Sequence, residues 1–158
     1  MTVVEERLQG QERRIPERAI AYWRDRVTAL KGNATIAALD LEALHTVDWS
    51  HRFILAIGPD IEDTALLLHG ADFGRLLEML PRKTPSRALT RKVPKRFSDV
   101  FLRGCRDAVA GDAPVRLEGA VEREDGRREL YRAAFIPLTA DDGALVRLAF
   151  GAFSSCIE

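Results

Sequence analysis

Residues 115–153 read VRLEGAVEREDGRRELYRAAFIPLTADDGALVRLAFGAF, and this stretch decides the architecture. It divides into three strand-length segments, 115–124, 127–138 and 144–153, with apolar and polar residues interleaved. Asp125-Gly126 separates the first two, and Asp141-Asp142-Gly143 the others, both compositions that reverse a chain tightly. A three-stranded antiparallel meander follows. Alternation puts Tyr131 with Ala133 and Phe135 on one face, and Val146, Leu148 and Phe150 together on another. Which set faces inward is not fixed by the pattern.

Working back along the chain, Phe97, Val100, Phe101, Gly104, Cys105 and Ala108 recur at helical spacing and end near Gly111. FGRLLEML (73–80) predicts a short helix closed by Pro81. HRFILAIGPD and EDTALLLHGADF predict a hairpin through Gly58-Pro59-Asp60. In IPERAIAYWRDRVTALKGN, Ile20, Trp23, Val27 and Leu30 form an apolar stripe, with Pro16 suited to a first turn and Gly32-Asn33 to a stop. The expected organisation is a charged tail over 1–15 and a single domain over 16–158, opened by a helix at 16–31. Two strands before the helices and three after close one sheet. The fold class is α+β, a five-stranded antiparallel sheet with helices on one face and an N-terminal amphipathic helix.

The 158 residues fit one domain, and 46% hydrophobic with 30% charged residues is the balance of a globular chain. No apolar run approaches the roughly 18 residues of a membrane span. Charge occupies the N-terminus where a signal peptide would be apolar, so a cytoplasmic location is expected. Cys105 and Cys156 make neither a CxxC pair nor a disulfide framework. Arginine outnumbers lysine 20 to 4, which fits a bacterial genome rich in G and C.

Taken in order, AYWRDRV, LDLEAL, HRFILAIGPD with TALLLHGADFG, DVFLRGCRDAVAGDAPVRLEG and FIPLTADDGALVRLAFGAF resemble a PAS domain, specifically the small bacterial PAS-like proteins with a leading Tyr-Trp helix. The resemblance spans roughly residues 16–154 and has no counterpart at 81–96. It implies a sensory or regulatory protein that holds a small apolar ligand between sheet and helices, or engages an unidentified signalling protein. It also implies a homodimer built on the leading helix. On that plan Phe53, Leu55, Leu67, His69, Phe101, Cys105, Tyr131, Phe135 and Phe150 are the candidates to line a cavity. Ile20, Trp23, Val27 and Leu30 are the candidate dimer surface.

Other chemistry finds little support. Around Cys105 the residues that flank the photoreactive cysteine of light-sensing relatives are missing, so Cys105 reads as a buried small residue. His45, His51 and His69 match no metal spacing, and the longer helix carries no haem-ligating histidine. No phosphate loop, GxSxG or HExxH is present, and neither turnover nor a cofactor is expected. RKTPSRALTRKVPKR (82–96) holds seven basic residues and no acid. Without aromatics for stacking, and broken by Pro85 and Pro94, it reads as a solvated basic loop rather than a nucleic-acid arm. Its Arg82, Lys83, Arg87, Arg91, Lys92, Lys95 and Arg96 are candidates to dock an acidic partner. A ligand-free adaptor using this loop or the sheet is the competing account.

Overall fold

The computed structural model describes residues 3–29, 35, 39, 49–79, 88–139 and 147–158. Helix α1 (Val3–Ala29) leads, followed by strand β1 (Arg52–Ile57), a 3-10 turn (Ile61–Asp63) and strand β2 (Ala65–His69). Helices α2 (Ala71–Leu76), α3 (Leu89–Lys92) and α4 (Lys95–Gly111) come next, then strands β3 (Val115–Glu122), β4 (Arg128–Thr139) and β5 (Arg147–Ile157). The strands form one antiparallel sheet in the order β2-β1-β5-β4-β3. This is the five-stranded PAS-like plan that the sequence resembles.

Helix α4 forms where its apolar period predicts. Phe97, Val100, Phe101, Gly104, Cys105 and Ala108 are all buried on its sheet-facing side. Pro94 opens it and Asp112, in the left-handed conformation, ends it. Between β3 and β4 a five-residue connection replaces the tight two-residue reversal. The last pair in register is Glu122 with Arg128, and Gly126 supplies the positive φ of +82° that the turn needs.

Both faces of the sheet are covered. On one, Phe53, Phe73, Phe97, Phe101, Phe135 and Phe153 pack together beneath α2–α4, each fully shielded from solvent. On the other, Ile54, Ala134, Ile136, Leu148, Phe150 and Ala152 meet Ala19 and Ile20 of α1. The alternation left open by the sequence is thereby settled. Tyr131, Ala133 and Phe135 face the helices, whereas Leu148 and Phe150 face α1.

Helix α1 begins at Val3 rather than at residue 16, so residues 3–15 are helical where a tail was expected, and Pro16 sits inside the helix, buried. Its apolar stripe is first covered by the chain's own sheet. Ile20 is 1% exposed, which removes it from the expected dimer surface; Trp23 and Val27 are half-buried, and Leu30 lies outside the described residues. Tyr22 packs edge to face on Trp49, and Phe150 packs tilted against both, around the Arg52 guanidinium, which lies 4.5 Å from the Tyr22 ring centre. Such aromatic and cation contacts clamp the helix to the sheet.

Candidate functional site

The expected cavity region is filled by side chains. Phe101 lies 5.5 Å from Phe53, 5.8 Å from both Phe73 and Phe135, and 5.4 Å from Phe153, measured between ring centres. These are contact distances for aromatic rings. Gly104 explains the close fit of α4 on β4. A Cβ there would stand 2.3 Å from the Phe135 ring, so the absence of a side chain lets that ring seat directly on the helix. The small residues in this layer accommodate large neighbours. Gly119 does the same for Tyr131, whose hydroxyl would lie 2.8 Å from an added Cβ.

Of the nine cavity candidates, Phe53, Leu55, Phe101, Cys105 and Phe135 come together in this helix-side core, with Tyr131 half-buried at its margin against Phe97. Phe150 does not belong with them. It points to the opposite face, under α1, because β5 turns its odd positions towards the helices. Leu67 is also excluded, at 37% exposed. In the β1–β2 ladder Ile54 pairs with Leu68 and Leu55 with Leu66, so Leu67 is the extra residue of a bulge that turns it outward. Burial pushes the Cys105 thiol up to about 12, leaving it protonated and inert.

His69 stands at the edge of an open cleft, not in an enclosed space. Its ring lies 5.6 Å from Phe73, and its Nδ1 is hydrogen-bonded at 2.9 Å to the Gly70 carbonyl oxygen. The cleft, of about 1350 Å³, runs between the end of α2, the α3–α4 junction and the β3–β4 connection. Small-molecule pockets are mostly apolar and occupy roughly 300–1,000 Å³. This one is larger, open and charged.

Its walls differ in sign. Arg91, Lys92 and Lys95 come from α3 and the start of α4; Glu122, Glu124 and Asp125 come from the hairpin opposite. The basic segment is therefore not one loop. Residues 88–96 form α3 and the first turn of α4, anchored by buried Leu89 and Val93 and by the Leu89 N–H bonded to the Thr64 carbonyl at 2.9 Å. Arg82, Lys83 and Arg87 lie outside the described residues.

At the base of the cleft is a group of charges that the sequence reading did not assemble. Glu129, on the helix-facing side of β4, has a side chain only 3% exposed. It accepts hydrogen bonds from Arg96 Nε at 3.0 Å, Arg123 Nη1 at 2.9 Å and Ser155 Oγ at 2.7 Å. Arg96 and Arg123 are 14% and 16% exposed, so Arg96 serves an internal ion pair before any docking surface. Arg123 Nη2 also donates to Glu78 Oε1 at 2.7 Å. The carboxylates of Glu78 and Glu129 raise the Arg123 pKa and keep it charged. This network ties α2 and α4 to the far end of the sheet. An acid at a strand's inward position was the available signal: alternation places Glu129 in phase with Tyr131, Ala133 and Phe135.

Comparison with known proteins finds distant structural likenesses alone. No family model matches the chain, and no curated protein matches it. Among solved structures, a fungal LOV domain photoreceptor is similar at 15% identity and a TM-score of 0.45, over 76% of this chain and 95% of that one. The photo-excited blue-light photoreceptor Vivid is similar at 15% identity and 0.40, over 66% and 77%. A variant of Vivid gives 18% and 0.40, over 66% and 80%. The PAS-like architecture rests on the chain's own sheet and helix layer. Among the described residues no helix is long and apolar enough to cross a membrane.

Proposed function

We propose that this chain is a PAS-like regulatory module that works by engaging a partner protein at its charged cleft, without turnover and without an apolar ligand in its interior. The observation that carries this reading is the connected cluster of six phenylalanine rings where such a ligand would lie. A PAS-like sheet can present a surface as well as a pocket, and here an accessible concavity lies between α3, α4 and the β3–β4 connection. Of the leading stripe, Trp23 and Val27 are the described positions with surface left for a second copy, and they support the homodimer in reduced form.

Native mass spectrometry of the purified protein tests this reading. The expected spectrum carries the mass of the polypeptide alone, as one copy or two. Extra mass from a small apolar molecule, lost on denaturation, would overturn it.

A further inference from the structure

The carboxylate of Glu78 closes the cleft-side end of the charge network, and its placement is poor for a purely structural contact. Its backbone is left-handed, φ +53°, a conformation that disfavours any residue with a side chain other than Asn or Asp. Its side chain is 55% exposed, whereas the two arginines it covers are nearly buried. One oxygen, Oε1, serves both guanidiniums: it is 2.7 Å from Arg123 Nη2 but 3.6 Å from Arg96 Nη2. Arg96 Nη2 and Arg123 Nε are buried and have no hydrogen-bond acceptor. A guanidinium pair binds a carboxylate best when both carboxylate oxygens are used. Glu78 leaves that arrangement incomplete.

We infer that the Arg96–Arg123 pair is a receptor for a carboxylate of an acidic protein segment, and that Glu78 is the internal competitor such a segment displaces. The inference rests on the partner-binding reading above and names the chemistry of the partner. Three further cations extend the receptor along the same wall. Among the described residues Arg91, Lys92 and Lys95 make no ion pair, and they outnumber Asp99, the acid that α4 adds to the same lining, so a segment with several acids would meet them in turn. On the hairpin opposite, Arg123 is flanked by Glu122 and Glu124, which repel such a segment everywhere on that wall except at the Arg123 guanidinium and favour its remaining contacts on α3 and α4.

Fluorescence anisotropy with a labelled hexaglutamate peptide tests this on the full chain. Glu78→Gln removes the exposed carboxylate from the cleft side of the arginines, leaving buried Glu129 in place, and is expected to tighten binding about tenfold. Glu122→Gln makes the same change in net charge at a carboxylate that forms no ion pair with either arginine among the described residues, and is expected to tighten it by less than about threefold. Arg91→Gln with Lys95→Gln, both at exposed positions, is expected to weaken it about tenfold. Equal gains from Glu78→Gln and Glu122→Gln would overturn the inference, since net charge alone would then account for both. So would an equal tightening of a single-stranded oligonucleotide by Glu78→Gln. If no variant binds the peptide while the native mass is that of bare chain, the inference falls and the partner-binding reading stands. An apolar small molecule in the native spectrum would remove that reading whatever the peptide does.

Discussion

Glu129→Ala is expected to destabilise the fold by about 3 kcal/mol, measured as the change in urea unfolding free energy. The carboxylate is the common acceptor for Arg96, Arg123 and Ser155, and among the described residues no other acid stands within hydrogen-bond distance of Arg96. Removing one partner from a buried ion pair costs roughly 3–5 kcal/mol because the remaining charge is left uncompensated. The low end applies here, since both guanidiniums keep some exposure and can recover water. The same substitution should loosen the attachment of α2 and α4 to β4, because the network is what joins their ends to that strand. Glu129→Ala with no change in unfolding free energy would show that the network is ornamental.

Phe101→Ala is expected to cost about 3–5 kcal/mol, the range for truncating a buried phenylalanine. The ring touches four others on three strands and one helix, so no single neighbour can swing in to close the gap. The cost has two parts, lost transfer of the ring from water and the unfilled space left behind. The void would be apolar and dry, and of the kind that accepts benzene or xenon. Thermal unfolding in the presence of benzene checks the second part: the variant should gain stability and the wild type should not. A Phe101→Ala protein of unchanged stability would mean that the layer is loosely packed.

Most of the fold was legible because its elements obey simple periods. The meander, the β1–β2 hairpin and the buried face of α4 all appear where the patterns place them, down to the individual residues of that face. What the pattern could not supply was phase and register. Phe150 and Phe153 lie on one strand three residues apart, and only the pairing of β5 with β1 and β4 shows that they face opposite layers. Leu67 was misplaced because a bulge breaks alternation without leaving a mark in composition.

The candidate site was less legible for a physical reason. Its members, Glu78, Arg96, Arg123, Glu129 and Ser155, come from five separate segments and meet only through tertiary packing. In the sequence, Arg96 is one more cation in a basic run. Its commitment to Glu129, 33 positions away, distinguishes it from Arg91, Lys92 and Lys95, which form no ion pair among the described residues. The covering of Ile20 by the sheet was equally invisible, because an apolar helix stripe has the same pattern whether its own sheet or a second subunit covers it.

The central claim is that the space between sheet and helices is closed and that binding belongs to the surface cleft. Crystals of the wild-type protein pressurised with xenon test it most directly, with Phe101→Ala crystals as the positive control. The account predicts no xenon among Phe53, Phe101, Phe135 and Phe153 in the wild type, and a xenon atom at the vacated ring position in the variant. A xenon site enclosed by those same residues in the wild type would contradict it and return the ligand to the interior.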